Sequence, residues 1–411
     1  MERGRALTLR PAAEVGAGDA GHLRRLNLQR VLAVVMSQPT PFTRAELIEA
    51  TGLSAPTVGS LIAHLVRSGV VRDLGAGPSR GGRRPACMEF NARHGFVAGI
   101  DLGPTRTRLA VADLRGERLA HEVIPTPSAP DPAAMLNRVA DSLRGLLREA
   151  QAAPERLLAV GAGAPGAVDR GRGTVSCAPN LEGWNEVPMR EILEHALGTA
   201  VVVENDVNLA VLGEHWRGAA HGHDTCAFIF VGTGIGAGIL IDGALHSGHH
   251  FMAGEIAVMC MGPQYLDGDF GSRGCLETLA GLKALAGRWP RADGRDPAEW
   301  LAELFEAAQA GDDRARQAVD ETARIIGIAV ANVIAVVDPS LIVLGGALFA
   351  QAEPLVREVR IVVHRIARAP IDVVMSALGK EAPLWGGLLV ATTEARGRLR
   401  HRVRESRVAA D

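Results

Sequence analysis

The chain has 411 residues, of which 47% are hydrophobic, and its formal net charge is −2. This length predicts two or three domains, and the longest apolar stretches are too short to span a bilayer, so no membrane segment is expected. The first residues lack the apolar run of a secretory signal, and the five scattered cysteines favour a reduced, cytoplasmic protein over a disulfide framework. A net charge near zero argues, at first, against a nucleic-acid binder.

The charge is unevenly distributed along the chain. Residues 1–91 hold twelve arginines and seven acidic residues, a local charge of +5, and the remaining 320 residues therefore carry −7. Such asymmetry is typical of a nucleic-acid-facing module joined to a domain of another kind. Residues 1–21 are expected to be a disordered N-terminus, which leaves residues 22–91 as the basic module.

Residues 22–91 follow the order of elements in a winged helix-turn-helix domain. A first helix is predicted over 25–36, where apolar residues recur at helical spacing. Thr43-Arg44-Ala45-Glu46 forms a capping box that opens a short second helix, and Gly52 allows the tight turn that ends it. Ser54 then caps a third helix.

The third helix has the surface expected of a helix that enters a major groove. Its apolar residues, Val58, Leu61, Ile62 and Leu65, lie on one face and must point to the core. The opposite face is small or polar, so it has low bulk and exposed hydroxyl groups.

A glycine- and arginine-rich loop, residues 75–85, lies between two predicted short strands, 70–72 and 87–90. It is predicted to be the wing, able to approach phosphates or the minor groove. A small protein-interaction domain with a solvated basic loop is the alternative. The candidate DNA-contacting residues of the module are Thr43, Arg44, Ser54, Thr57, Ser60, His64, Arg80, Arg83 and Arg84.

The body contains an internal repeat. Residues 97–113 and 228–243 each read as an apolar strand, a Gly/Thr turn, a second apolar strand and an Asp turn. Two such hairpins predict a duplicated α/β domain with a cleft between its halves. The turn glycines would let backbone N–H groups approach phosphates, and Asp101, at the end of the first strand, is placed to hold a hydrated Mg²⁺.

A second polar segment follows the predicted strand 200–203. Asp206 at this strand-to-helix junction has two interpretations, a helix N-cap or a general base that acts on a substrate hydroxyl. Asn180 and Asn205 offer the donors and acceptors that suit sugar hydroxyls.

Six motifs, in this order, resemble those of the ROK family (repressors, open reading frames, kinases). They are Asp101-Leu-Gly-Pro-Thr, Pro179-Asn-Leu-Glu-Gly-Trp, Glu204-Asn-Asp-Val-Asn-Leu-Ala, Val231-Gly-Thr-Gly-Ile-Gly-Ala-Gly, Ala253-Gly-Glu and Gly274-Cys-Leu-Glu. The resemblance covers about residues 22–395 and implies an actin-like, two-lobed sugar-kinase fold of the duplicated ribonuclease-H-like type. Family members with an N-terminal winged helix are mostly sugar-responsive transcriptional regulators, and those without one are mostly sugar kinases.

The resemblance also implies lobe boundaries and site residues. Lobe 1 is expected over 95–204, lobe 2 over 205–380, and a C-terminal helix returning to lobe 1, with a basic tail, over 381–411. Asp206 matches the catalytic base. The sugar-contacting positions are Asn180, Asn205, Asp206, Glu255 and Glu277. The nucleotide-side positions are Asp101, Gly103, Thr105, Gly232, Thr233, Gly234, Gly345 and Gly346.

The chain departs from the family pattern in two places. Val258 stands where many members have a histidine that binds zinc and helps to hold the sugar, and Gly268 and Phe270 stand at two of the three zinc cysteines, so that only Cys275 remains. One sulfur cannot make a four-ligand zinc site, so a structural zinc is not expected. The nearby His246, His249, His250 and Cys260 leave two alternatives, a solvated histidine-bearing loop, which is favoured, or a replacement metal site. The lost histidine removes a sugar hydrogen bond, which typically contributes about 1–3 kcal/mol. Pro104 deletes an N–H from the first phosphate turn.

These observations predict a sugar-responsive transcriptional regulator, expected to be a repressor, that binds operator DNA as a homodimer or dimer of dimers without needing a cofactor. The first alternative is an ATP- and Mg²⁺-dependent sugar kinase of the hexose or N-acetylhexosamine class with an accessory DNA-binding head. Asp206 favours this kinase, whereas Pro104 counts against ATP binding. The second alternative is a winged-helix adaptor that binds other proteins.

Overall fold

The computed structural model describes residues 20–38, 40–76, 86–126, 131–178, 181, 183–271, 273–292, 295–350, 352–367 and 371–405. The chain divides into two compact units, one of Met1–His94 with Gly397–Asp411 and one of Gly95–Arg396. Within the described ranges, no helix is long and apolar enough to cross a membrane.

The first unit contains three helices and a small antiparallel sheet of strand order β1-β3-β2. Its elements are α1 (Ala20–Ser37), β1 (Phe42–Thr43), α2 (Arg44–Thr51), α3 (Ala55–Arg67), β2 (Val71–Ala76) and β3 (Ala86–Phe90). α1 begins at Ala20, so it includes the last two residues of the segment 1–21 for which disorder was predicted. β2 is longer than predicted, since its pairing with β3 continues past a bulge between Asp73 and Gly75.

The second unit begins with a five-stranded sheet of order β10-β7-β4-β5-β6. Its elements are β4 (Phe96–Leu102), β5 (Arg106–Asp113), β6 (Arg118–Pro125), α4 (Pro132–Glu149), β7 (Leu157–Ala164), β8 (Ala167–Asp169), β9 (Thr174–Cys177), α5 (Met189–Leu197) and β10 (Ala200–Asn205). The apolar residues of α4, such as Leu136 and Leu143, are buried in one core with those of the sheet.

A second five-stranded sheet, of order β13-β12-β11-β14-β15, follows. This half comprises α6 (Asp206–Arg217), β11 (Cys226–Val231), β12 (Ile235–Ile241), β13 (Ala244–Leu245), α7 (Cys275–Ala280), α8 (Leu282–Arg288), α9 (Pro297–Ala310), α10 (Asp313–Val337), β14 (Leu341–Gly345), α11 (Glu353–Ile366), β15 (Asp372–Met375) and α12 (Ala382–Glu405). Its core joins the sheet to α9, α10 and α11.

The two sheets have the same architecture, which confirms the predicted duplication. In each, a hairpin (β4–β5, β11–β12) is antiparallel, and two further strands (β7 and β10, β14 and β15) extend the first strand of that hairpin in parallel. Parallel strands end at one edge of a sheet, so the polar residues that follow them are brought together there.

Helix α6 is held in place through contacts of its C-terminal half. A Cβ added to Gly213 would lie 2.2 Å from the carbonyl oxygen of Ala382, so only glycine permits this contact between α6 and α12. Glu214, which is fully buried, accepts hydrogen bonds from the Ser376 hydroxyl and from the N–H groups of Ala219 (2.7 Å) and Leu378 (3.0 Å). The first residue of this anchored helix is Asp206.

Candidate functional site

A cavity of about 200 Å³ lies in the second unit, at the ends of β10 and β11. The β10–α6 junction, the β11–β12 turn, the segment 247–258 and the start of α7 contribute to its wall. Its polar lining includes Glu204, Asn205, Asp206, Asn208, Thr233, Ser247, Glu255, Arg273 and Glu277. The structure therefore brings together three carboxylates predicted to contact a sugar.

The interpretation of Asp206 as a helix N-cap is wrong, because Asn205 occupies that position. α6 begins at Asp206 itself, one residue earlier than a cap at Asp206 would allow, and the Asn205 Oδ1 accepts from the N–H groups of Val207 (2.9 Å) and Asn208 (3.0 Å). Asp206 is the first helical residue, and its only described hydrogen bond is an acceptance from the Val207 N–H at 2.9 Å. It thus lines the cavity with acceptor capacity to spare.

Asp206 has a pKa near neutrality. Burial, as the largest cause, and the negative charges of Asp101 and Glu255 together raise the pKa of this carboxyl to about 7, although the hydrogen bond from the Val207 N–H opposes the shift. A carboxyl with this pKa exchanges its proton in the neutral range, so it can accept a hydrogen bond from a ligand hydroxyl or donate one.

Glu255 and Glu277 complete what we call the acidic cluster, Asp206, Glu255 and Glu277. Burial raises the pKa of both glutamates. The Glu277 Oε2 accepts from the Ile235 N–H at 3.3 Å, and this bond and the positive charges of Arg273 and Lys283 oppose the rise. Carboxylates gathered in a partly buried cavity are well suited to the hydroxyl groups of a sugar, each of which is a donor and an acceptor.

Asn205 lines the cavity, but its amide group also serves the local structure. Its Oδ1 caps α6, and its Nδ2 donates to the carbonyl oxygen of Gly166 at 3.0 Å, so its amide is engaged in structural bonds. Asn180 lies outside the described residues. For both asparagines the sugar contact stays a prediction.

Sequence reasoning missed four polar residues of the wall, namely Ser247 and Arg273 together with the neighbouring Glu204 and Asn208 of the β10–α6 junction. The buried Glu204 forms an ion pair with the Arg170 Nε at 2.7 Å and accepts from the Asn208 Nδ2 at 2.9 Å. For Glu204 and Asn208 the signal was present, because both residues stand in the same Glu-Asn-Asp-Val-Asn motif as Asp206.

The two predicted phosphate-binding turns, 103–105 and 232–234, each contribute residues near the cavity. In both turns, a backbone N–H that could bind a phosphate instead donates a hydrogen bond to a nearby carbonyl oxygen. The Gly103 N–H donates to the Arg106 carbonyl oxygen at 3.1 Å, and the Gly232 N–H donates to the Gly234 carbonyl oxygen at 2.8 Å. Pro104, which has no N–H, lines the cavity, as do Thr233 and Gly234. Gly103, Thr105 and Gly232 are not among the residues that line it.

The glycine pair after β14 has a packing role. A Cβ at Gly345 would lie 2.2 Å from the Phe228 ring, and one at Gly346, where φ is +98°, would lie 2.4 Å from the Val231 carbonyl oxygen. These contacts explain both glycines without a nucleotide, and neither lines the cavity.

Asp101 is already paired with a cation of the protein. Its Oδ2 lies 3.1 Å from the Arg108 guanidinium, and its side chain is 6% exposed. Burial raises the pKa of Asp101 to about 6, and Arg108 opposes this rise. Together with the internally bonded turns, this pairing does not fit a magnesium–nucleotide complex. We call Asp101, Arg108 and the two turns, 103–105 and 232–234, the turn side.

The residues at the family's zinc positions do not fit a metal ion either. Phe270 packs edge-on against Tyr265, and the buried Cys275 is the first residue of α7. Val258 is 63% exposed at the rim of the cavity. No cluster of three or more potential metal ligands occurs in the described part of the chain.

In the first unit, α3 has the predicted arrangement of faces. Val58, Leu61, Ile62 and Leu65 are buried, whereas Ser60 is exposed and a Cβ at Gly59 would meet no atom within 4 Å. The Arg24 guanidinium of α1 lies 3.5 Å from the Ser60 hydroxyl. Sequence reasoning did not include Arg24 among the candidate DNA-contacting residues, because only the packing of α1 against α3 brings its side chain beside Ser60.

The other candidate DNA contacts fall into four groups. Thr43 and Ser54 serve as N-caps of α2 and α3, and the Thr57 hydroxyl bonds that of Ser54 at 2.8 Å. Arg44 is exposed. His64 is half-buried and its Nε2 is buried without a hydrogen-bond partner in the described residues, and its DNA contact stays a prediction. Arg80, Arg83 and Arg84 lie outside the described residues.

Two sheets of equal strand order, with a carboxylate-lined cavity at the strand ends, define the second unit as a two-lobed, duplicated α/β domain of the actin-like class. The ROK family model matches residues 97–394, and the chain belongs to this family.

Known relatives include both regulators and enzymes. The chain is 29% identical over 363 residues to the xylose repressor of Caldicellulosiruptor bescii, an alignment that covers 85% of this chain and 90% of that protein. It is 34% identical over 312 residues to the glucokinase of Streptomyces coelicolor, covering 71% of this chain and 96% of the glucokinase. A solved ROK transcriptional regulator, a homologue of the Escherichia coli MLC protein, has the same fold, with a TM-score of 0.75, 23% identity, and coverage of 94% of this chain and 100% of that chain.

Proposed function

We propose that this protein is a sugar-responsive transcriptional repressor that binds operator DNA through its first unit and a sugar in the cavity of its second. The observation that carries the proposal is the extent of the two alignments. The xylose repressor aligns over 90% of its own length and 85% of this chain, whereas the glucokinase is almost fully aligned yet leaves 29% of this chain unmatched. The unmatched part has room for the basic first unit.

The geometry of the first unit supports DNA binding as a winged helix-turn-helix. α2 and α3 follow each other across a turn at Gly52, and the β2–β3 hairpin follows α3. The outer face of α3 carries small and polar groups, with Arg24 beside it and Arg44 at the start of α2. A helix of this kind reads base edges, while the arginines contact phosphates.

The acidic cluster supports the sugar as effector. A sugar bound there would favour a closed arrangement of the two lobes, and DNA affinity would change only as far as the sugar distinguishes the two states. We further propose a homodimer, which matches a palindromic operator. The exposed Ile328 and Val336 of α10 are apolar surface that such a contact would cover.

A gel shift on the DNA upstream of the protein's own gene, with a panel of sugars that includes D-xylose and D-glucose, tests the proposal. We expect a specific complex that one sugar dissociates. Arg24→Ala should weaken the complex and reduce the slope of log affinity against log salt by about 1. Arg138→Ala, an exposed arginine of α4, is the matched control. If no sugar in the panel changes the shift, the sensor function is wrong.

A second candidate function is an ATP-dependent sugar kinase, which the 34% identity to a glucokinase and the cavity-lining Asp206 favour. This candidate predicts sugar-dependent ADP release that Asp206→Asn abolishes. The absence of turnover over the same sugar panel would remove it.

A further inference from the structure

The strongest feature outside the acidic cluster is the pair formed by Asp101 and Arg108. The two residues are direct partners in the antiparallel register of β4 and β5, so their side chains lie on the same face of the sheet. The Arg108 side chain is only 20% exposed, and its guanidinium lies 3.1 Å from the Asp101 Oδ2. The cation is therefore held in place by the strand register rather than by a flexible surface contact.

A guanidinium at this position competes directly with a metal ion. Mg²⁺ binds through carboxylate and water oxygens in an octahedral arrangement, and it would have to replace Arg108 at Asp101. A displaced Arg108 would remain close to the ion, and the two positive charges would repel each other. Arginine has no acceptor and does not deprotonate in proteins, so it cannot become a ligand.

The neighbouring turns give a second, independent observation. Pro104 has no N–H to offer, and the N–H groups of Gly103 and Gly232 donate to carbonyl oxygens within their own turns. A phosphate bound there would have few backbone donors, although such donors are what makes a glycine-rich turn a phosphate site. The ion pair and the hydrogen bonds of the turns therefore both indicate that the turn side does not bind a magnesium–phosphate group.

We propose that Arg108 is a tethered cation that takes the place of Mg²⁺ beside Asp101, and that the protein consequently binds and responds to its sugar without Mg-ATP. The inference rests on the proposed sensor function for its second half. It assigns to Arg108 a positioning role, since it neutralises Asp101 next to the acidic cluster while the cluster itself stays open to a ligand.

The test uses the full chain and Mn²⁺ as a paramagnetic substitute for Mg²⁺, with bound ion measured by electron paramagnetic resonance. The wild-type protein should bind no more Mn²⁺ than Asp101→Asn. Arg108→Ser should create a site that the double variant Arg108→Ser/Asp101→Asn weakens by about tenfold or more. Arg106→Ser, an exposed arginine of the same strand, is the matched control and should behave like the wild type.

Arg108→Lys guards against a trivial loss of folding, because it keeps the positive charge and should bind no added Mn²⁺. Each variant is checked by its thermal unfolding midpoint. Wild-type binding of Mn²⁺ that falls tenfold or more in Asp101→Asn would overturn the proposal, and so would equal Mn²⁺ binding by Arg108→Ser and Arg106→Ser. If Arg108→Ser does not fold, the Mn²⁺ binding of the wild type and of Arg108→Lys, each compared with Asp101→Asn, still tests the proposal.

The second half is tested by sugar titrations of the DNA complex with and without Mg-ATP. We expect the sugar concentration for half-release to agree within about twofold in the two conditions, the scatter normal for such titrations, since a ligand that does not bind cannot shift the equilibrium. A sugar response that requires Mg-ATP would overturn the inference and leave the repressor function standing. No response to any sugar would instead refute the repressor function, whatever the Mn²⁺ result.

Discussion

The acidic cluster and the turn side lie close enough for the charge of Asp101 to raise the pKa of Asp206. They differ in whether their carboxylates are paired with a cation of the protein. In the cluster, Asp206, Glu255 and Glu277 line a cavity, and burial raises the pKa of each. On the turn side, Asp101 is paired with Arg108 across two strands. One region is left ready for a polar ligand, and the other has its charge satisfied by the protein.

A kinase and a sensor make different demands on the turn side. A kinase needs a cation and phosphate donors on the turn side in addition to a sugar site. A sensor needs only a sugar that distinguishes two states of the lobes. Filling the cation position with an arginine removes the first requirement without touching the second.

Asp206→Asn is expected to have the largest effect. The change removes a charged acceptor from the cavity, so sugar affinity measured by calorimetry should fall by about 10- to 150-fold, the value of a hydrogen bond to a charged group. DNA binding without sugar should be unchanged. Asp242→Asn, an exposed aspartate of the β12–β13 turn, is the control. Equal sugar affinities of these two variants would mean that Asp206 does not contact the sugar.

Arg108→Ser should lower the free energy of unfolding by about 1–3 kcal/mol, because it leaves Asp101 buried and unpaired. The loss should be greatest above pH 6, where Asp101 is ionised, and should shrink as acid protonates it, since its pKa is raised to about 6 in the folded protein. Denaturation curves at pH 5 and pH 8 measure this. Arg106→Ser should change little at either pH, and an equal loss for Arg108→Ser at both would contradict the ion-pair explanation.

Asp206 should also reduce the stability of the folded protein as pH rises. Its pKa is about 7 when folded and near 4 when unfolded, so the folded state binds more protons between these values and stability falls across that window. Asp206→Asn should therefore raise the unfolding midpoint at pH 8, by about 2–4 °C for each kcal/mol recovered. The gain should shrink towards pH 5. A gain that is independent of pH would show that ionisation is not its cause.

Val258→His should have the smallest effect. Val258 lies at the rim of the cavity and is exposed, so a histidine there has room and adds one hydrogen-bond donor or acceptor. One neutral hydrogen bond of about 1 kcal/mol predicts an increase in sugar affinity of about fivefold. Val123→His, at an exposed position of β6, is the control. Unchanged or weaker sugar binding would show that this rim does not face the sugar.

Much of the fold could be predicted from local patterns. The two hairpins of the repeat, the capping box at Thr43 and the apolar face of α3 are each encoded within a few consecutive residues. The duplicated α/β body followed from the repeat. The three carboxylates of the acidic cluster came from the family resemblance, and the structure brings them together in one cavity.

Only the tertiary structure decided the partners of these residues. The strand register placed Arg108 opposite Asp101, helix packing placed Arg24 beside Ser60, and the end of β10 made Asn205 rather than Asp206 the N-cap. It also buried the Nε2 of His64. The physical reason is the distance along the sequence over which each interaction acts. Caps and periodic faces depend on neighbours within one or two turns of chain, whereas an ion pair or a burial depends on which distant strand or helix is packed alongside.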